Sequence, residues 1–144
     1  MFILFLGVLF AWPKFSGPNK EVVSKWSILG VECLDNGHAN LAQHIHPNLK
    51  ISIDGIPKEI PANIGILANC MAEIHTHDTT GKIHIETREA GKQFTLKTFF
   101  SVWGESIEKD GYGIEMSVDG LKSGELDNLI LRDDQQIILE YTKK

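Results

Sequence analysis

The chain has 144 residues, which fits one domain that is large enough to bury its own core. Hydrophobic residues make up 42% and charged residues 23%, which is the composition of an ordinary globular protein and excludes a wholly disordered chain. The net charge of -5 and the lack of a cluster rich in lysine and arginine argue against a nucleic-acid partner.

The N-terminal segment is almost purely apolar from Met1 to Trp12. As a helix it would be ~18 Å long against ~30 Å for a membrane core, which is the length of a signal-peptide core rather than a full span. No basic residue precedes it and no small-residue cleavage site follows, so an N-terminal strand or core helix is the alternative. We expect a signal-peptide core or short membrane anchor over residues 1–13, a linker or N-terminal extension over 14–30, and one β-rich domain over 31–144. This domain is expected outside the cytoplasm, secreted or membrane-anchored.

The chain has two cysteines, Cys33 and Cys70. In an exported protein an isolated pair favours a disulfide. Cys70 lies five residues before His75, so a metal-ligand role for Cys70 is one alternative and two unlinked thiols are another.

Two hairpins are predicted in the middle of the chain. The segment 49–54 alternates apolar and polar residues, Asp54 and Gly55 follow as a tight turn, and the pattern resumes over 56–60. Residues 74–77 and 82–87 alternate in the same way around the turn sequence 78–81.

The second half of the chain predicts one helix and two more strands. Thr95 can cap a helix whose apolar residues recur at helical spacing until Gly104. Segments 114–118 and 136–141 alternate as strands. Strands in hairpins outnumber helices, which favours a mainly β fold, α+β at most: an antiparallel sheet, sandwich, barrel or grasp-like sheet with one or two short helices.

Histidines dominate the second hairpin. Because alternate residues of a strand share a face, His75 and His77 point the same way. If the chain turns over 78–81, His75 lies directly opposite His84, with Cβ atoms about 5 Å apart. A divalent metal needs nitrogens at about 2.0–2.1 Å, and three converging imidazoles can supply them and leave a fourth position open. The sequence therefore predicts a metal site of these three histidines.

Other polar residues are candidates for supporting roles. Glu73 and Glu86 fall on the same predicted strand face, where either could ligate, orient a histidine or handle protons. His44 and His46 could complete the same site, form a second one, or do neither. His38 is interpreted as a loop residue. The alternative for the whole set is an ordinary solvated strand face without metal.

The ligand type indicates which metal to expect. Imidazole favours copper and zinc and also suits iron and nickel, and no oxygen-rich loop suggests calcium. The spacing from Cys70 to His75 loosely resembles a cupredoxin loop, but no methionine follows His75 shortly, which argues against a blue-copper site. The expected cofactor is a divalent transition metal, copper or zinc.

A longer set of motifs runs through residues 40–142. It comprises His44-x-His46, Ile60-Pro61-Ala62-Asn63-Ile64-Gly65, His75-Thr76-His77-Asp78-x-x-Gly81-x-Ile83-His84-Ile85-Glu86 and Phe99-Phe100-x-x-Trp103-Gly104. This set resembles a family of uncharacterised small exported proteins of ammonia-oxidising archaea and some bacteria. The resemblance implies export but no particular activity. The chain departs from the family pattern at Asn48, where a third histidine often stands, which weakens any site that needs His44, His46 and position 48 together.

Three functions remain open at this point. The leading hypothesis is a secreted or anchored protein that binds copper or zinc for storage, delivery or sensing. The rival is a zinc enzyme whose open position activates water for carbon dioxide hydration or small-ester hydrolysis, with Glu73 or Glu86 handling protons. The third is a metal-free interaction module. The expected partner is the metal ion, together with the membrane if the N-terminus stays uncleaved; homo-oligomerisation is left open.

Overall fold

The computed structural model describes residues 18–35 and 37–144. The signal peptide or anchor predicted over residues 1–13 lies outside these residues. The described chain is mainly β, as predicted, with ten strands and two α-helices. The helices are α1 Pro18–Ile28 and α2 Leu96–Trp103, with a short 3₁₀ turn at Leu126–Asn128. The strands are β1 Gln43–Ile45, β2 Asn48–Ile53, β3 Ile56–Lys58, β4 Ile66–Leu67, β5 Cys70–Met71, β6 Ile74–His75, β7 His84–Thr87, β8 Tyr112–Val118, β9 Leu121–Ser123 and β10 Gln136–Lys143.

The larger sheet has five strands in the order β3-β2-β10-β8-β9. β2 and β3 form the hairpin predicted around Asp54 and Gly55, and β8 and β9 form another. β10 pairs antiparallel with β8 but parallel with β2. The parallel pair was not predicted, because it joins strands that are far apart in the sequence and leaves no local pattern. In the described part of the chain this sheet stays open, with β3 and β9 at its edges, so the barrel among the predicted folds is not formed.

An apolar core lies against this sheet. Side chains of β10 alternate between exposed and buried along the strand, and Leu139 and Tyr141 are among the buried ones. The predicted helix is α2, which the Thr95 side chain caps and whose Phe99 is fully buried. The Tyr141 hydroxyl donates to the Ile107 carbonyl at 2.7 Å, and burial raises the pKa of Tyr141 to about 12. The one hydroxyl that this strand buries thus has a partner.

Residues 18–28 form helix α1, in a region where the sequence predicted a linker over 14–30. Trp26 is buried and belongs to the core, so one large aromatic side chain holds the helix on the domain. Val22 and Val23 also pack against this core, and their spacing of four and three residues from Trp26 is helical, so this short pattern was the available signal for the helix. Among the described residues, no helix has the length and apolar character needed to span a membrane.

The smaller sheet has three strands in the order β1-β7-β6. β6 and β7 form the second predicted hairpin, and His75 pairs directly with His84, which confirms the predicted register. Gly81 ends the turn with a φ of +84°, and a Cβ there would collide with the carbonyl oxygen of Leu49. The Leu49 amide in turn donates to the Gly81 carbonyl at 2.9 Å. This close approach holds the turn against β2 and so helps to set the position of both histidines.

Cys33 and Cys70 form the predicted disulfide, with Cα atoms 5.1 Å apart. Cys70 begins β5, which pairs with β4 in a separate two-stranded ribbon. A second contact fixes the chain next to Cys33, because the Leu34 amide donates to the Met71 carbonyl at 2.7 Å. Because both sulfurs are used in the bridge, the alternative roles of Cys70 as a metal ligand or a free thiol are wrong.

Candidate metal centre

All six histidines of the chain lie in one cluster on the small sheet and the loops beside it. The ring centroids of neighbouring members are 4.4 to 6.4 Å apart. His84 lies in the middle. Its ring centroid is 4.6 Å from that of His77, 4.7 Å from His46, 5.4 Å from His75 and 6.0 Å from His44. The three histidines predicted to converge therefore do so.

The tautomer of His75 is set by the backbone. This side chain is fully buried, and its Nδ1 lies 2.8 Å from the carbonyl oxygen of Ala72. A carbonyl can only accept, so Nδ1 carries the proton and Nε2 keeps its lone pair. Nε2 lies 3.1 Å from Nε2 of His77. Two nitrogens held by one tetrahedral metal at about 2.0–2.1 Å are about 3.3 Å apart, so this pair already has close to the spacing of two ligands.

A fully buried carboxylate, that of Glu86, lies among the rings. Its Oε2 is 2.6 Å from Nδ1 of His38, and its Oε1 is 2.9 Å from Nε2 of His44 and 3.7 Å from Nδ1 of His84. The His44 contact is short, but its angles do not make a hydrogen bond. Among the described residues, Glu86 Oε1 and His84 Nδ1 are the buried side-chain polar atoms without a hydrogen-bond partner. Both are ligand atoms, so one cation could satisfy the two together.

The ligand atoms of the cluster form two overlapping sets. Within each set, one ligand atom from every member lies within 4.8 Å of the others. The first set comprises His75, His77, His84 and Glu86. The second set comprises His44, His46 and again His84. Each set has enough donors to hold a divalent transition metal.

Burial controls the protonation of these rings. It lowers the pKa of His75 to about 4, and repulsion from His77 and His84 adds to the shift. It also lowers the pKa of His84 to about 4, with repulsion from His77 and His46 as the next causes. Burial lowers the pKa of His46 in the same direction. These imidazoles are therefore neutral at neutral pH, which is the form that ligates a metal.

Glu73, the other predicted carboxylate, is held away from the histidines by different partners. Its Oε2 accepts from the Lys92 ammonium at 2.6 Å and from the Glu32 amide at 3.0 Å. Glu73 therefore has a structural role in place of the expected role as ligand or proton handler. It links the start of β6 to the segments that carry Glu32 and Lys92. Strand alternation could not predict this, because the cation that neutralises Glu73 comes from another part of the chain.

His38 belongs to the cluster, so its interpretation as a mere loop residue is wrong. Its Nδ1 lies 2.6 Å from Glu86 Oε2 although 57% of its side chain is exposed, and its ring centroid is 5.7 Å from that of His77. No spacing pattern connects position 38 with position 86. The available signal was the disulfide, because the bond between Cys33 and Cys70 brings this loop beside the histidine hairpin.

His44 and His46 lie directly beside the predicted site. His44 is in β1 and stands opposite Glu86 of β7, which explains why its ring meets the carboxylate. The backbone of His46 is anchored by its amide, which donates to Asp133 Oδ1 at 2.8 Å. The alternative that these two residues are unrelated to the site is therefore wrong. The alternative of an ordinary, solvent-exposed strand face is also wrong for His75 and Glu86, because both side chains are fully buried.

Comparison of the chain with protein-family models, curated proteins and solved structures finds no match. The resemblance to exported archaeal and bacterial proteins stays a prediction.

Proposed function

We propose that this chain is an extracytoplasmic protein that binds a divalent transition metal, copper or zinc, through His75, His77, His84 and Glu86, for storage, delivery or sensing. The observation that carries the proposal is the buried pair of unpartnered ligand atoms, Glu86 Oε1 and His84 Nδ1. Burying a polar group without a partner costs roughly 1–3 kcal/mol. A cation between these atoms would neutralise the carboxylate and use the lone pair of the ring, and so would remove that cost.

The donor set supports zinc or copper(II). It consists of imidazole nitrogens and one carboxylate oxygen, and both cysteines are withdrawn into the disulfide. Without thiolate or thioether donors the set does not favour copper(I), whereas imidazole suits zinc and copper(II).

The number of protein donors supports binding rather than catalysis. Four donors complete a tetrahedral shell, whereas a catalytic zinc keeps one position for water. Neither predicted proton handler is free, because Glu73 is paired with Lys92 and Glu86 is engaged by His38. The rival zinc-enzyme function therefore has less support than a carrier or sensor.

Two features support a location outside the cytoplasm. A structural disulfide persists in oxidising compartments, and the sequence begins with an apolar run of signal-peptide length. Fractionation of the native host tests this part of the proposal. Full-length, unprocessed chain in the soluble cytoplasmic fraction would contradict it.

Titration of the chelated, metal-free protein with zinc and with copper(II) tests the metal site. We expect His75→Ala, His77→Ala and His84→Ala each to weaken binding of the first ion by at least about 100-fold, because loss of a ligand costs no less than loss of a supporting partner. Lys122→Ala is the matched control, because Lys122 is exposed on the outer strand of the other sheet. Circular dichroism checks that each variant folds. Unchanged affinity in all three histidine variants would refute the site.

A further inference from the structure

We propose that the cluster holds two metal ions, one on each side of His84, and that the His84 imidazole bridges them. This rests on the proposed function, since the first ion is the one assigned to His75, His77, His84 and Glu86. The second ion would take His44 and His46 together with the shared ring.

His84 lies between the two ligand sets. The two ligand sets have this residue in common and no other. Its ring centroid lies 4.6 and 5.4 Å from the rings of His77 and His75, and 4.7 and 6.0 Å from those of His46 and His44. An imidazole has two nitrogens on different sides of the ring, so a ring between two ligand sets can serve both.

The hydrogen bonding of His84 also supports a bridging role. A histidine that ligates one metal normally donates its other ring N–H to a carbonyl or carboxylate. His75 follows this rule, because its Nδ1 donates to the Ala72 carbonyl. His84 does not: its Nδ1, the atom that the first ion would take together with Glu86, lies 3.7 Å from the nearest oxygen of that carboxylate without a hydrogen bond, and its Nε2 makes no hydrogen bond to a described residue. A ring whose second nitrogen is unused by the protein is available to a second ion.

The two positions differ in burial, and this predicts their order of filling. The inner set has four donors, of which His75 and Glu86 are fully buried and His77 is exposed. The outer set has three donors, and the side chain of His44 is 44% exposed. The inner ion therefore binds first and exchanges slowly, while the outer ion keeps a position open to solvent and exchanges faster.

The proton balance of the bridge is simple and involves no redox step. A neutral imidazole carries one N–H, so binding of a second ion to the same ring releases that proton to the buffer and leaves a bridging imidazolate. Uptake of the outer ion should therefore release one proton from His84. Calorimetric titration in two buffers with different heats of ionisation measures this release.

The test loads the full chain with copper(II), and separately with zinc, and counts the bound ions by elemental analysis after desalting. We expect two ions per chain in the wild type and one in His46→Ala, with unchanged affinity for the remaining ion. Lys122→Ala should behave as the wild type. Two copper(II) ions bridged by imidazolate couple antiferromagnetically, so the spin resonance signal of the fully loaded wild type should integrate to fewer than two spins. The His46→Ala protein, with one copper(II), should integrate to one spin.

Each of the other possible outcomes contradicts one part of the two proposals. If the wild type binds one ion per chain, and both His46→Ala and His75→Ala lower its affinity, the cluster is a single mixed site. This result refutes the bridge and leaves the proposed function intact. Two ions that integrate to two full spins without proton release refute the bridge as well. Two ions in His46→Ala place the second ion elsewhere and refute the outer set. No bound ion in the wild type refutes both proposals.

Discussion

The two main sheets of the molecule bury different chemistry. The five-stranded sheet buries apolar side chains such as Ile137 and Leu139, and the charged side chains of β10 face solvent. The three-stranded sheet and its immediate edges bury most of the polar residues that the described chain hides from solvent: Glu73, His75, Thr76, Glu86 and Thr87. The smaller sheet also buries apolar side chains such as Ile74 and Ile85, so the two sheets differ in the polar residues that the smaller one adds.

Burial of apolar side chains and burial of polar side chains affect the stability of the fold in different ways. Apolar burial stabilises a fold by roughly 25 cal/mol per Å² and needs no particular partner. A buried carboxylate or imidazole lowers stability unless it is paired or ligates a metal. The five-stranded sheet therefore supports the fold, whereas the buried polar side chains of the three-stranded sheet need partners: Glu73 has Lys92, and the proposed metal ion would supply one for Glu86 and His84. Four measurements test this difference between the sheets.

Removal of the disulfide should have the largest effect. The bridge spans a sequence separation of 37 residues, and its loss in a Cys33→Ser, Cys70→Ser double variant should lower the free energy of unfolding by about 4 kcal/mol. Urea denaturation measures this, and reduction of the wild type should produce the same shift. Because the bridge holds the loop of His38, metal affinity should fall too. An unchanged denaturation midpoint would show that the backbone contacts alone hold this loop.

Leu139→Ala tests the supporting role of the larger sheet. Leu139 is fully buried, and its truncation should lower the free energy of unfolding by about 3 kcal/mol through lost burial and a cavity. Metal affinity, measured where the variant is folded, should not change. A fall in affinity comparable to that of a histidine variant would show that the two sheets act as one unit.

The stability of the metal-free protein should fall in mild acid. The folded pKa values of His75 and His84 are about 4, below the ordinary histidine value of about 6.5, so the unfolded chain takes up protons first. Their contribution is complete above about pH 6.5 and is lost as the pH falls towards about 4.

Urea midpoints between neutral pH and mild acid check this dependence. The His75→Ala variant should show a shallower slope than the wild type, because one of the two rings is gone. Equal slopes in the two proteins would mean that burial of His75 does not control the acid response.

His38→Ala should have the smallest effect of the four. Its ring supports Glu86 from a mostly exposed position, so we expect metal affinity to weaken by about 10-fold and the free energy of unfolding to change little. Titration with zinc alongside Lys122→Ala measures the difference. Identical zinc affinity in His38→Ala and Lys122→Ala would show that His38 does not support the site, as the sequence alone suggested.

Local sequence patterns were sufficient to predict the hairpins and the helix α2. Period-two alternation and the turn at residues 78–81 placed His75 opposite His84, and the structure has that register. Thr95 and Gly104 marked the ends of α2. These predictions succeeded because strand faces, tight turns and helix caps depend on residues within a few positions of each other.

The residues that surround the histidine hairpin depend on tertiary packing. The meeting of His38 with Glu86, the pairing of Glu73 with Lys92 and the parallel contact of β2 with β10 all join distant parts of the chain. Such contacts depend on how whole elements pack and on where the disulfide ties the loop, and neither leaves a periodic trace in the residues themselves. The sequence therefore predicted three ligands of a site, and the packing of the chain assembled a six-histidine cluster around a buried carboxylate.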